Sequence, residues 1–431
     1  MSEIRIENID CLEFMKSLPD NSVDAAVCDP PYGLKFMGKK WDYDVPSVEI
    51  WQECLRVLKP GGHLLAFAGT RTQHRMACRI EDAGFEIRDM IAWVYGSGFP
   101  KSLNIGKAVD KLQGNEREIL GTKYEVYGHS KKSNTQIFGE GRKWMDDPNA
   151  DAHIASKGTS EWEGWGTALK PALEPITVAR KPIEQNTIAE NVLKWGTGGL
   201  NIDACRVEGI TDNDIKKRES FSNSENTKLD NGIFSCRTKH TEMHAQGRFP
   251  SNLIHDGSDE VVALFPDSYS SGGKNGKREN NYMGLTKGFV ESSGIGGYGD
   301  NGSAARFFYC AKASKSERNA GWEELEDKLA KSNMVSKNGT GDLRLDGKPI
   351  SIQKNNHPTV KPLKLMEYLI KLVSKEGAVI LDPFMGSGTT GVAAIRLNRN
   401  FIGCEVHKDY FEIATARLKA TSMDLLNADN A

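Results

Sequence analysis

Residues 378–406 read AVILDPFMGSGTTGVAAIRLNRNFIGCEV, and this stretch decides the fold. AVILD is a short apolar run suited to a buried strand, the glycines at 386, 388 and 391 make a turn, and a helix-forming run follows to Leu397. FIGCEV is a second apolar strand, with Glu405 near its end. In this context the glycines allow a tight turn and a close backbone approach to a ligand, while the acid can accept hydrogen bonds from ribose hydroxyls. The pattern points to a nucleoside cofactor. No GK[ST] follows, so it is not a P-loop, and on this block alone a nicotinamide dinucleotide would suit the glycines as well.

Two strands cannot form a stable open sheet, so these must pair with strands from elsewhere in the chain. Just upstream lies a helical run, Lys364 to Val373, and the matching strands lie at the other end of the sequence. There IRIENID reads as a strand, Asp10 can cap a helix to about Leu18, and VDAAVC (23–28) is a largely apolar strand. Helix-period positions in VEIWQECLRVL (48–58) lead through KPGG into the strand HLLAFA, and a helix from Gln73 to Ala83 precedes the strand-like FEIRDMIAWVY (85–95). Strands alternating with helices indicate a doubly wound parallel sheet. One α/β domain is therefore expected in two halves, 1–100 and 351–431, around an insertion at 101–350. The insertion is rich in Gly, Ser, Asn and Lys, has only short apolar islands such as ALEPITVA (172–179) and ARFFYCA (305–311), and reads as mobile loop around Ser270 to Ser303.

A length of 431 residues suits two units at ~150 residues per domain. With 56 Lys plus Arg against 58 Asp plus Glu, the chain is not a strongly basic object that coats nucleic acid by charge alone, so any such contact must be local. Eight cysteines without a CxxC pair argue against a zinc ribbon and a disulfide framework. No signal pattern opens the chain and no apolar run is long enough to cross a bilayer, so a cytoplasmic protein is expected.

The second informative segment is Asp29-Pro30-Pro31-Tyr32, which closes the VDAAVC strand. At the carboxyl end of a parallel strand these residues project into the ligand crevice. They offer a carboxylate acceptor, a carbonyl held in place by proline, and an aromatic face. An exocyclic amine needs two acceptors for its two N–H groups, and a base taken out of its stack needs a stacking partner.

Asp29-Pro30-Pro31-Tyr32 resembles the catalytic motif of DNA amino-methyltransferases, and Asp382-Pro383-Phe384-Met385-Gly386-Ser387-Gly388-Thr389-Thr390 resembles their cofactor motif. His357-Pro358-Thr359-Val360-Lys361-Pro362 is similar to the block that closes over the cofactor's methionine end, with LKPGG (58–62) a looser likeness. Catalytic motif first and cofactor motif last resembles the β arrangement of these enzymes. The resemblance covers about the first 100 and last 80 residues and is weaker between them. It implies a circularly permuted Rossmann-like methyltransferase fold with an inserted target-recognition region, and S-adenosylmethionine as cofactor. By the same resemblance Asp382, Pro383, Phe384, Gly386, Ser387, Gly388, Thr389 and Thr390 hold the cofactor's amino-acid end. His357, Thr359 and Lys361 assist there, Glu405 takes the ribose, Asp10 lies near the adenine unless it is a plain helix cap, and Tyr32 stacks on the target base. Asp29 is shared between cofactor and catalysis.

The implied reaction is methylation of N6 of adenine in duplex DNA by direct attack of a flipped base, with Asp29 and the Pro30 carbonyl accepting the amine's protons. Adenine is preferred because the motif begins with Asp, where Ser is commoner in the cytosine enzymes; the alternatives are N4 of cytosine, a single-stranded or RNA substrate, or an idle DNA-binding or specificity subunit. Methylation of cytosine carbon 5 would need a thiol, usually on a Pro-Cys step, and the chain has none. Lys274, Lys277, Arg278, Arg306, Lys312 and Lys315 lie among glycines and aromatics and suit phosphate contacts. Cys236, His240 and His244 are spaced like helical ligands but lack a fourth, so no metal is expected. Trp144, Trp162, Trp165 and Trp195 read as core or loop anchors. A homodimer, a cognate restriction enzyme, and a bacterial, phage or prophage origin are further expectations from the resemblance.

Overall fold

The computed structural model describes residues 2–34, 42–98, 102–122, 154–207, 247–269, 301–311 and 360–429. In chain order its elements are β1 (Ile4–Glu7), α1 (Cys11–Lys16), β2 (Val23–Cys28), α2 (Val48–Val57), β3 (Leu58–Phe67), α3 (Gln73–Asp82), β4 (Glu86–Val94) and α4 (Ile105–Gln113). There follow β5 (Glu118–Thr122), β6 (Ile154–Lys157), β7 (Leu173–Arg180), α5 (Ile188–Trp195), β8 (Leu253–His255), α6 (Asp259–Val262), β9 (Asp267–Tyr269), β10 (Asn301–Ser303) and β11 (Tyr309–Cys310). The last segment adds α7 (Leu363–Val373), β12 (Val379–Asp382), α8 (Thr389–Arg396), β13 (Asn400–Cys404) and α9 (Lys408–Asp429).

Nine strands form one sheet in the order β1-β13-β12-β2-β3-β7-β4-β8-β11. The C-terminal strands pair with the N-terminal ones: β13 lies parallel to β1 and β12 parallel to β2. All neighbouring pairs are parallel except those of β7, which runs antiparallel to both β3 and β4. The strand that carries the glycine turn is an inner strand, between β13 and β2, yet comes near the end in sequence, which makes this a circularly permuted Rossmann-like sheet.

Both faces are covered, which is why β2 is buried along its whole length and apolar but for Asp24, whose carboxylate accepts from Lys59 Nζ and the Val379 amide. Ala25, Val27, Leu65 and Phe67 pack under α7 and α8, while Ala26, Cys28, Leu64 and Ala66 pack under α1, α2 and α3. LKPGG is absorbed as a bulge: Val23 pairs with Leu58, yet Ala25 already pairs with His63. Pro60 lacks an N–H for a central ladder, so it is tolerated only where the ladder is interrupted. Its carbonyl is taken by Asn191 Nδ2 at 2.8 Å and Thr197 Oγ1 at 2.6 Å.

The sheet departs from the expected partition at 101–350. β7, β8 and β11 all come from that segment, so the segment completes the central sheet instead of standing apart from it. The physical reason lies in ALEPITVA, whose last six strand positions are buried and whose Ile176 and Val178 join the same core as Val27 and Leu65. β5 and β6 do form a separate two-stranded antiparallel sheet, tied to α4 by Arg117, which bridges Asp110 and Glu163. No helix of the described residues is long and apolar enough to cross a membrane. Ser270 and the loop expected after it, up to 300, as well as Cys236, His240, His244 and Trp144, lie outside the described residues. Trp195 anchors a loop through its Nε1 bond to Glu184, whereas Trp162 and Trp165 are exposed and meet edge to face at 5.1 Å.

Candidate functional site

The connection from β12 leaves through α8 to β13 on one side, and that from β2 leaves through α2 to β3 on the other. Between two such strands a parallel sheet opens a crevice at its carboxyl end. Here it is a cleft of about 530 Å³, lined by both predicted motifs, from Asp29 to Tyr32 and from Asp382 to Ser387 with Thr389 and Thr390, together with Asp10 and Glu405.

The cofactor-motif wall is a turn built by its own side chains. Asp382, 2% exposed, accepts from the Phe384 amide at 3.0 Å and from Thr390 Oγ1 at 2.5 Å. Both oxygens of this carboxylate are thus committed to shaping the loop. Burial pushes its pKa up to about 7, the two hydrogen bonds pull it down, and the Asp29 and Glu405 carboxylates push it up again. Glu405 accepts from the Gly386 amide at 3.1 Å and the His407 amide at 2.8 Å, and burial raises it too. Gly388 has φ +79°, and a Cβ there would lie 3.0 Å from Ala414 Cβ. One turn on, a Cβ at Gly391 would stand 2.6 Å from Leu418 and 2.7 Å from the Phe401 ring, so this glycine is what lets α8 sit down on β13. The N-terminus of α8 points its unpaired amides toward the turn.

The catalytic-motif wall is an ion-pair and hydroxyl network. Tyr32 donates its hydroxyl to Asp29 Oδ1 at 2.7 Å and lies 3.1 Å from Glu174 Oε2. Lys361 Nζ donates to Asp29 Oδ2 at 2.6 Å and stands 3.3 Å from Glu174. The same ammonium lies 5.5 Å from the Tyr32 ring centre and 5.0 Å from that of Phe67. Burial alone would depress Lys361, but the Asp29 and Glu174 carboxylates more than offset it and hold the ammonium above its ordinary value. Burial, then Asp29 and Glu174, push the Tyr32 phenol well up, so it keeps its proton. Lys361, expected at the methionine end of a cofactor, lines the cleft and is bonded to Asp29. His357 and Thr359 lie outside the described residues.

Asp10 lines the cleft and also caps α1, accepting from the Leu12 amide at 2.9 Å, so the two readings of this residue are compatible. Of the expected phosphate-contact residues only Arg306 is described; Lys274, Lys277, Arg278, Lys312 and Lys315 are not. The Arg306 guanidinium reaches the Ser303 carbonyl at 2.7 Å and Ser268 Oγ at 2.9 Å, bracing the paired strands β9 and β10, and it does not line the cleft.

Three residues that matter to the site carry no motif signal. Asp42, 2% exposed, accepts from the Gly33 and Leu34 amides at 2.8 and 3.2 Å and so fixes the chain as it leaves Tyr32. Arg417 of α9, 4% exposed, binds the Ser387 carbonyl at 2.5 Å and Thr389 Oγ1 at 3.1 Å, strapping the glycine turn from behind; burial brings its pKa down to about 10. Glu174 is the acid of the otherwise apolar ALEPITVA, and a lone carboxylate in such a run was the one available clue.

The DNA methylase family profile matches residues 23–416. The chain is 53% identical to the Type II methyltransferase M.HindIII of Haemophilus influenzae over 456 aligned positions, covering 96% of this chain and 94% of that protein. It is 58% identical to the Type II methyltransferase M2.DpnII of Streptococcus pneumoniae over 64 residues, which is 15% of this chain and about a quarter of that relative's length. Among solved structures, the M1.HpyAVI–SAM complex aligns over 96% of this chain and 100% of that one, at 17% identity and a TM-score of 0.37. With the two motif walls facing one cleft and the profile spanning nearly the whole chain, the protein belongs to the DNA methylase family and is, with it, an S-adenosylmethionine-dependent DNA methyltransferase.

Proposed function

We propose that this chain methylates N6 of adenine in duplex DNA, and that Asp29, Pro30 and Tyr32 carry the reaction. The observation that supports this best is the Asp29 carboxylate, held by Lys361 at 2.6 Å and lining the same cleft that the glycine turn walls. The donor set fits the cofactor: Asp10, Asp382 and Glu405 give the cleft an acidic lining, which suits a ligand that carries ammonium and sulfonium charge. Among the described residues Asp382 bonds to the Phe384 amide and the Thr390 hydroxyl and to no cation, and burial pushes it up to about 7, so a cationic group brought beside it would be favoured. When bound, S-adenosylmethionine supplies a methyl group on a positively charged sulfur.

The chain's own residues do the rest. The α8 N-terminus and the Gly386 to Gly388 backbone receive the amino-acid end, and each Glu405 oxygen keeps a lone pair for a ribose hydroxyl. Tyr32 offers its ring to a flipped base. Asp29 and the Pro30 carbonyl accept the two amine hydrogens, which frees the nitrogen lone pair from conjugation with the ring. The nitrogen–methyl bond forms as the sulfur–methyl bond breaks, and the surplus amine proton passes toward Asp29 and solvent. No covalent enzyme intermediate is needed, and catalysis comes from positioning and electrostatics. Residues 101–350 supply target recognition in this reading, and the protein acts in the cytoplasm, with a homodimer and a cognate restriction enzyme as its expected partners.

The test is to incubate the protein with methyl-labelled S-adenosylmethionine and unmethylated duplex DNA and then digest the DNA to nucleosides. Label in N6-methyladenine supports the proposal. Label in N4-methylcytosine overturns the choice of base, and no label on duplex or single strands overturns the activity in favour of a binding subunit.

A further inference from the structure

A phenol has one proton, yet Tyr32 stands within reach of two carboxylates, Asp29 Oδ1 at 2.7 Å and Glu174 Oε2 at 3.1 Å. Those carboxylates are not equivalent in the proposed reaction. Asp29 must accept an amine hydrogen, and a hydroxyl bond at 2.7 Å draws charge from the oxygen that has to do so. Glu174 comes from the reversed strand β7, opposite Trp93 of β4, and is not among the residues that line the cleft. It is nevertheless surrounded by donors: the Tyr32 hydroxyl, Lys361 Nζ at 3.3 Å, and the Tyr95 hydroxyl. A carboxylate gathering three donors just behind the catalytic one requires an account.

We infer that Glu174 is a positioning residue, the alternate acceptor to which Tyr32 hands its hydroxyl bond when the target amine arrives, releasing Asp29 Oδ1 for the amine. This rests on the functional reading above and deepens it. The hand-over costs little because donor and acceptor are already within hydrogen-bond range, so a small rotation of the phenol exchanges one charge-assisted bond for another. Lys361 moves with neither partner; bonded to Asp29 and facing Glu174, it keeps the two carboxylates side by side despite their like charge. Tyr32 keeps its proton throughout, so the exchange changes which oxygen is available and transfers no charge. Each carboxylate oxygen has two lone pairs, so the base is not excluded by count. What changes is the strength of Asp29 as an acceptor at the moment the lone pair must be freed.

The experiment compares wild type, Glu174→Gln, Tyr32→Phe and the double variant in single-turnover methyl transfer to unmethylated duplex DNA, with S-adenosylmethionine affinity measured by calorimetry. Neutral Gln is the weaker acceptor and leaves the hydroxyl on Asp29, so transfer slows by about tenfold or more while cofactor affinity stays the same. Tyr32→Phe keeps the ring and removes the competing hydroxyl, so added to Glu174→Gln it restores at least about fivefold of the lost rate. A merely structural role for Glu174 makes the two losses add. A double variant no faster than Glu174→Gln overturns the hand-over. Should Glu174→Gln also lose cofactor binding, Tyr32→Phe alone decides: a loss beyond about a hundredfold assigns the hydroxyl to the chemistry itself and overturns it. A wild-type protein that binds cofactor and transfers nothing contradicts the proposed function, and the hand-over falls with it.

Discussion

Replacing Asp382 by Asn should make the protein more stable at mildly alkaline pH and less stable in acid. In the fold this carboxyl is 2% exposed, and its pKa rises from 3.8 to about 7, with burial as the largest cause. A raised carboxyl pKa means that between these values the folded protein holds a proton the unfolded chain has released, so stability falls as pH rises through the window and levels off above about 7. At 1.36 kcal/mol per unit, the window of roughly 3 units is worth on the order of 4 kcal/mol. Asn cannot ionise, so its stability lacks this decline. It can still accept from the Phe384 amide and donate to the Thr390 hydroxyl, at a cost of about 1 kcal/mol for the poorer arrangement. The variant should therefore be less stable than wild type by about 1 kcal/mol at pH 4 and more stable by about 3 kcal/mol at pH 8. Urea unfolding of both proteins across this range measures the difference, in which titrations common to both cancel. A difference that does not vary with pH would refute the reasoning.

Arg417→Leu removes the cation that holds the buried Ser387 carbonyl and Thr389 hydroxyl. It should cost about 1 to 3 kcal/mol in urea and weaken S-adenosylmethionine binding about tenfold by calorimetry; an unchanged affinity would show that the strap is dispensable. Gly391→Ala drives a methyl to 2.6 Å from Leu418 and should lower stability by about 1 to 3 kcal/mol, seen as a lower urea midpoint, and an unmoved midpoint would show that the α8–β13 contact gives way freely. Lys361→Met leaves Asp29 and Glu174 facing each other without their cation and should cost about 3 to 5 kcal/mol by urea unfolding. A loss well below that would mean the carboxylates find another partner.

The local parts of the site were readable in the sequence. Asp29 to Tyr32 and Asp382 to Thr390 are continuous segments whose chemistry follows from proline and glycine geometry at the ends of strands, and both line the cleft. The pairing of the last strands with the first followed from a strand count, and β12 beside β2 bears it out. What sequence could not supply is what folding brings from afar. Glu174 reaches Tyr32 across 142 residues of chain, and neither Arg417 nor Asp42 sits in a pattern that announces a partner. The reversed β7 was hidden because a short apolar island reads alike as an insertion's anchor or as a central strand until its neighbours are known. Lys361 was recognised within its motif, but its bond to Asp29 was not readable, because a motif names residues and only the fold pairs them.

The central claim is that Asp29 acts on the target amine while the glycine turn independently holds the cofactor. Asp29→Ala separates the two: S-adenosylmethionine binding by calorimetry and labelled methyl transfer to duplex DNA are measured on the same preparation. The account predicts cofactor affinity within about tenfold of wild type and transfer reduced by at least about a thousandfold. Transfer that persists at more than about a tenth of the wild-type rate, with the cofactor bound, would contradict it.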